Sequence, residues 1–460
     1  MTVLPFLTLV IPVVTGVIAL LCRGAFCRTL LLAGSVLHLA CTAGCYNVRF
    51  SGLWIGLNSA EEYYLLLLTS LLYFAVTVYS AFWLKIEETS NNSRMILGFC
   101  LPLFLSTMTL VLLSRNFGVM WVAIEATTLF SAPLILFHRS GRALEAMWKY
   151  LLICSVGIGL ALLGTLFLAF SARMGGAALH GLQIAEFIAS KNSLDPGWYK
   201  AAFVLVLAGY GTKMGLAPFH TWLPDAHSEA PGAVSALLSA GLLNCSFLGI
   251  IRFAAAAPAQ VGNFCSDLLI VLGVISLATA AFFIIHQGDF KRMLAYSSIE
   301  HMGLGAILFA VCGMDLTLAH LWGHSFVKMS LFLLAGNLLL GCGTRQVDKV
   351  SGLFTVMPRN AVLFLTGTLL ICGVPPSPLF ITELKLLCSG PWYLSLTVAV
   401  LLFVIFAGMT RNVLGMTMGK PGEQTVHSTD AEKLIWVPCA GLLTALVLAG
   451  FFWTKFGGAL

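Results

Sequence analysis

Runs of about twenty apolar residues, separated by short polar connections, recur almost from end to end of this 460-residue chain, and no other feature limits its fold as tightly. A hydrocarbon core ~30 Å thick is crossed by a helix of ~20 apolar residues. Inside that core every backbone N–H and C=O must be satisfied within its own segment, which makes the α-helix the form for such runs. Only 10% of the residues are charged and 59% are hydrophobic, whereas soluble proteins carry roughly 25% charged residues. Too little polar surface remains to cover a water-soluble globule. The expectation is an all-α polytopic membrane protein of about fourteen transmembrane helices, a single transmembrane domain over residues 1–460.

The expected spans are 3–21, 29–47, 63–84, 95–113, 117–137, 150–171, 201–219, 234–254, 267–286, 293–312, 316–341, 361–387, 392–410 and 434–453. No basic n-region precedes the first span and no A-x-A site follows it, so it is read as a retained helix rather than a signal peptide. Lys and Arg residues outside the apolar spans divide unevenly, with fourteen in connections after odd-numbered helices and seven on the other side. The positive-inside rule then puts both termini on the non-cytoplasmic side, and the expected location is the cell inner (cytoplasmic) membrane. The net charge of +6 is accounted for by this topology and calls for no nucleic-acid partner. Thirteen cysteines lie scattered without a C-x-x-C pair, which argues against an iron-sulfur cluster or zinc ribbon.

Two spans carry prolines that an unbroken helix avoids. Helix 7 ends in K-M-G-L-A-P-F-H-T-W-L-P-D, and helix 12 contains V-P-P-S-P-L-F-I-T-E. Both are expected to be broken. If helices 4–8 (residues 95–254) and 9–13 (267–410) form two five-helix repeats, each broken helix is fourth in its repeat, and the odd number inverts the second. Interruptions at matching positions of inverted repeats point to a transport site.

A fixed charge at the bilayer centre costs at least ~2.5–3.5 kcal/mol, so buried ionisable residues are functional candidates. Glu125 lies near the middle of helix 5, and Lys213 lies just before the break at Pro218, with His220 beyond it. The Lys213 ammonium is tolerable when paired with Glu125, as a proton-transfer pair or as a structural one, or when a neighbouring cavity hydrates it. His320, His324 and Lys328 follow at i, i+4 and i+8 on helix 11, one face of three turns. They suit a proton relay. A metal site is the weaker reading, because no neighbouring Cys, Asp or Glu completes it and Lys328 opposes a cation; satisfied core histidines are the bland one. Glu383, after the break in helix 12, is the candidate exit acid, and Lys385 points elsewhere. Lys149 with Glu145 at i, i+4 reads as a relay position or an interfacial pair. His301 after S-S-I-E either extends the line or caps a helix.

The run G-T-K-M-G-L-A-P-F-H-T-W-L-P-D-A-H-S-E-A-P-G from Gly211 to Gly232, with F-K-R-M-L-A-Y-S-S-I-E-H-M-G from Phe290 to Gly303, resembles the antiporter-like subunits of respiratory complex I. That family includes subunits of Mrp-type cation/proton antiporters and of membrane-bound nickel-iron hydrogenases. The stretches E-A-T-T-L-F-S-A-P-L-I-L-F-H-R and W-K-Y-L-L-I-C-S-V-G-I-G-L-A-L-L-G are similar to hydrogenase-4 component F-like proteins. The resemblance implies that Glu125 is the helix 5 glutamate, Lys213 the helix 7 lysine, Lys328 the central lysine with His320 and His324, and Glu383 the helix 12 terminal acid. Asn244 stands where some members have a connecting lysine, so the link there is expected to run through water. The long lateral helix of the distal complex I subunit is expected to be absent.

The function expected from these residues is proton translocation by a membrane subunit of a redox-driven complex, with other membrane subunits and the lipid bilayer as partners. Protons would pass Lys213 and Lys328 toward Glu383, with Glu125 as the switch. No cofactor motif is present, neither G-x-G-x-x-G after a strand nor a P-loop, so redox energy would come from a partner. A sodium/proton antiporter module would use the same residues with Na+ as well as H+. A structural or quinone-binding membrane anchor is the alternative of another class.

Overall fold

The computed structural model describes residues 3–22, 24–46, 48–87, 90–179, 181–421, 436 and 439–444. Its helices are α1 (Val3–Leu21), α2 (Gly24–Gly44), α3 (Ala60–Ile86), α4 (Asn91–Leu113), α5 (Phe117–Ile135), α6 (Gly141–Met174), α7 (Ile184–Ala189), α8 (Pro196–Met214) and α9 (Trp222–Glu229). There follow α10 (Gly232–Leu237), α11 (Leu243–Ala255), α12 (Gly262–Ile285), α13 (Phe290–Cys312), α14 (Met314–Cys342), α15 (Leu353–Val356), α16 (Pro358–Ile371), α17 (Pro378–Ser389) and α18 (Trp392–Thr417). A two-residue hairpin, Phe50–Ser51 against Gly56–Leu57, is the one sheet among the described residues. The chain is an all-α polytopic membrane protein.

Eleven described helices, or helix pairs joined end to end, are long and apolar enough to cross a membrane. To these the expected spans add α8 and the divided α16–α17. The expected span 434–453 falls largely outside the described residues.

Both expected breaks are present. Helix α8 starts at Asp195, whose carboxylate accepts from Trp198 N at 2.9 Å, with Pro196 in the first turn, where its missing N–H goes unmissed. It stops at Gly215, which takes the left-handed φ of +82° that favours glycine. A cis Ala217–Pro218 bond follows before α9 restarts the helix. The second break runs from Gly373, at φ +70°, through a cis Pro375–Pro376 bond to Ser377, whose hydroxyl caps α17 by accepting from Leu379 N. The eighth expected span is less regular than its sequence suggests, with a π-turn at Leu238–Leu242 between α10 and α11. Such turns insert one extra residue into a helix and often mark functional sites.

The described residues form two compact units, those within Met1–Thr77, Ser90–Trp222 and Gly241–Leu269, and those within Val78–Thr89, Leu223–Ala240 and Ile270–Leu460. In the first, α6 runs along α8. A Cβ at Gly209 would stand 2.5 Å from the Gly157 carbonyl oxygen, a separation that only glycine allows. In the second, α14 packs against α10, α13, α16 and α17. Gly232 sits so close to α14 that a Cβ there would come within 2.7 Å of the Phe332 carbonyl oxygen. Small residues thus let polar helices pack backbone to backbone, the usual device in membranes, where lipid supplies no hydrophobic drive.

Candidate functional site

In the first unit, α8 ends on Lys213, whose side chain is fully buried. Its ammonium donates to Thr128 Oγ1 and to the Tyr150 hydroxyl, each at 2.6 Å, and stands 4.5 Å from the centre of the Tyr150 ring. A desolvated cation over an aromatic face gains ~2 kcal/mol. Tyr150 in turn contacts Ser131 Oγ at 2.6 Å, and the Ser131 hydroxyl donates to the Thr127 carbonyl at 2.6 Å. With that donor committed, Tyr150 donates to Ser131, giving a hydroxyl chain that begins at the ammonium and ends on α5 backbone. Trp222, at the restart of the broken helix, donates to the Thr212 carbonyl at 2.8 Å, satisfying one of the carbonyls that a helix end leaves open.

Glu125 is only half-buried. Its Oε1 accepts from Ser155 Oγ at 2.9 Å, while Oε2 is shielded from solvent and has no hydrogen-bond partner among the described residues. The expected direct Glu125–Lys213 pair is not formed. Thr128, one turn along α5 from Glu125, and Tyr150 hold the ammonium instead, and Glu125 acts on Lys213 from within electrostatic reach. His220 is buried in the break, and Asn244 is buried on α11 just past the π-turn.

In the second unit, α14 buries His320, His324 and Lys328 completely. His301 joins them from α13, its Nδ1 lying 3.3 Å from His320 Nε2 and its ring centre 5.4 Å from that of His324. His320 Nδ1 lies 3.0 Å from Thr382 Oγ1, and Thr382 donates to the Leu379 carbonyl at 2.9 Å. Thr382 is therefore free to accept, so the pattern is satisfied with Nδ1–H on both rings, His301 donating to His320 and His320 to Thr382. Lys328 donates to the Leu294 carbonyl at 2.7 Å. Glu383 follows Thr382 on α17 and is buried against the second break, where a Cβ at Gly373 would stand 2.2 Å from its Oε2.

Other expected positions stand apart. Lys149 pairs with Glu145 at 2.7 Å, with both side chains largely exposed, and Lys385 is half-buried near the buried Glu383. No group of three or more His, Cys, Asp or Glu among the described residues is arranged to hold a metal.

Several polar residues at these sites were not singled out from sequence. Thr128, Tyr150 and Thr382 carry no charge and resemble ordinary helix-packing residues. Glu300, buried on α13 beside His301, had a readable signal: an acid inside an apolar span. His227 stacks on Phe332 with ring centres 4.7 Å apart, and neither ring nitrogen has a hydrogen-bond partner among the described residues.

Two ionic clusters fix helix ends. In the first unit Glu62 receives Arg115 Nη1 and Arg252 Nη2, each at 3.0 Å, and Arg252 also donates to the Val111 and Leu112 carbonyls. In the second unit Arg292 pairs with Asp225 and Arg345 with Glu229, while the buried Lys291 donates to the Ser228 and Ala230 carbonyls at the C-terminal end of α9. Each cluster gathers residues that the alternation of spans assigns to one side.

A family model described as the NADH:quinone oxidoreductase/Mrp antiporter transmembrane region matches residues 114–410. The hydrogenase-4 component F homolog of Methylacidiphilum infernorum is 34% identical over 396 residues, 84% of this chain and 83% of that protein. A chain of the membrane-bound sulfane sulfur reductase, an archaeal respiratory membrane complex, superposes with a TM-score of 0.86 at 21% identity, covering 99% of this chain and 94% of that one. A chain of respiratory complex I from Thermus thermophilus superposes at 0.79 with 23% identity, covering 96% and 97%. At these identities the superpositions speak to the fold.

Proposed function

Because this chain belongs to the NADH:quinone oxidoreductase/Mrp antiporter transmembrane family, we propose that it is the proton-translocating membrane subunit of a redox-driven complex, of the membrane-bound hydrogenase or complex I-like kind. The observation that carries this reading is the same in each unit. Lys213 and Lys328 are fully buried, form no ion pair among the described residues, and are held by neutral oxygens. A carboxylate in contact would lock a buried ammonium in its charged form. Hydroxyls and carbonyls let it exist charged or neutral, and a group that carries a proton must visit both states.

Protons enter from the cytoplasm, load Lys213, pass to Lys328 and its histidines, and leave by Glu383. Glu125 is the switch. Held on Ser155, as here, it leaves Lys213 to its hydroxyls and favours release; brought against the ammonium, it favours loading. Asn244 cannot titrate, so water carries the proton past it. Redox energy comes from partner subunits in the same membrane. The chain lies in the cytoplasmic membrane with both termini on the non-cytoplasmic side, and residues 95–254 and 267–410 are its two inverted five-helix repeats, each with a broken helix fourth in order.

The test is redox-driven acidification of inverted membrane vesicles containing the whole complex. Lys213→Ala and Glu125→Gln are each expected to cut protons moved per electron several-fold while the complex still assembles. Unchanged proton-to-electron ratios in both variants overturn the proposal.

A further inference from the structure

Glu300 is the one buried acid of the second unit's centre that the path above leaves unused. Its side chain is 2% exposed, and its Oε2 has no hydrogen-bond partner among the described residues. It lies on α13 next to His301, within electrostatic reach of Lys328 on α14 and of Glu383 on α17. Cys372, in the break before α17, lies within reach of all three. The groups facing Glu300 are therefore one cation, one second acid, one thiol, the Ser297 hydroxyl and the histidine cluster.

A buried carboxylate is expensive to keep ionised, and one whose second oxygen has no hydrogen-bond partner is more expensive still. Structure alone gives no reason for it here, since the inner part of α13 is apolar apart from Ser297, Ser298, Glu300 and His301. Its charge does have a use. Lys328 as an ammonium beside an ionised Glu300 is neutral in sum, and so is a neutral Lys328 beside a protonated Glu300. A proton can cross between them with no change in net buried charge, the quantity that low-dielectric surroundings penalise most. Glu300, within reach of both Lys328 and Glu383, is the acid placed to make that exchange with the lysine.

We propose that Glu300 is a proton-relay carboxyl between Lys328 and Glu383. The N–H bond at Lys328 Nζ breaks, leaving the amine, and an O–H bond forms on Glu300. That O–H bond then breaks as one forms on Glu383, returning Glu300 to the carboxylate that draws the next proton onto Lys328. The two acids share one proton between them, as neighbouring carboxylates in a low-dielectric site do. This inference rests on the translocation reading above, and its test separates the two.

Glu300→Gln, Glu300→Asp and Lys328→Ala are compared in the assembled complex, by protons moved per electron in inverted vesicles and by infrared difference spectra of the protonated-carboxyl stretch during turnover. The relay predicts a several-fold loss of pumping in Glu300→Gln, partial recovery in Glu300→Asp, and loss in Glu300→Gln of a carboxyl band that is present in the parent and retained or shifted in Glu300→Asp. A structural role would leave no such turnover-dependent band. If Lys328→Ala abolishes pumping while Glu300→Gln pumps normally or its carboxyl band is unchanged, the relay is wrong and the translocation reading stands. If Lys328→Ala and Lys213→Ala both pump normally, the translocation reading itself fails and the relay with it.

Discussion

The chemistry at Lys213 rests on two hydroxyls. Tyr150 and Thr128 each accept from the ammonium at 2.6 Å, and a hydrogen bond to a charged group contributes ~1.5–3 kcal/mol. Tyr150→Phe is therefore expected to disfavour the loaded ammonium by about tenfold or more and to slow vesicle acidification by a similar factor, with the complex still assembled on native gels. Ser155→Ala frees the Glu125 carboxylate from its single donor, and a smaller change, toward tighter proton holding, is expected in the same assay. The charged members of the site were legible in the sequence because a Lys or Glu inside twenty apolar residues has no bland explanation. Tyr150, Thr128 and Thr382 were not, since a neutral hydroxyl in a membrane helix usually bonds its own backbone, as Thr165 does to Ala161 O. Glu300 could have been read by the rule that found Glu125, and was overshadowed by the histidine beside it.

Among the elements, the proline motifs announced both broken helices, and a buried ionisable residue stands at each: Lys213 at the end of α8 and Glu383 in the second turn of α17. The second break depends on Gly373, whose positive φ and missing Cβ make room for the Glu383 carboxylate. Gly373→Ala is expected to displace that acid and lower protons moved per electron at least several-fold, measured in inverted vesicles, while leaving electron transfer intact. Helix ends are secured differently. Glu62 with Arg115 and Arg252 is an enclosed triad, and removing one member of a buried pair costs ~3–5 kcal/mol. Glu62→Gln is expected to lower the Tm of the purified complex clearly, whereas Lys149→Ala, which breaks an exposed i,i+4 pair, is expected to leave it within error. The π-turn at Leu238–Leu242 had no sequence signal, because its Ser, Ala and Gly fit an ordinary helix equally well.

For the whole molecule the expectations concern sidedness and the ion. A reporter fused after residue 139 should behave as cytoplasmic and one fused after residue 176 as external, read by GFP fluorescence and alkaline phosphatase activity respectively; the reverse pattern would invert the assigned direction of transport. Replacing Na+ by K+ should leave vesicle acidification unchanged, because each unit is centred on a buried lysine, whose ammonium repels a metal cation, and no group of three or more His, Cys, Asp or Glu among the described residues is arranged to hold one. Composition and apolar run length were enough to establish the solvent, the helical class and nearly every span. These are properties of segments about twenty residues long, and a bilayer tests each segment largely by itself. Which polar atoms meet was decided by tertiary structure alone. Lys213 finds Thr128 and Tyr150 across 85 and 63 residues of chain, and His320 finds Thr382 across 62. Those meetings depend on glycine-lined contacts between helices that no local pattern encodes, and they surround the buried charges with hydroxyl and carbonyl partners.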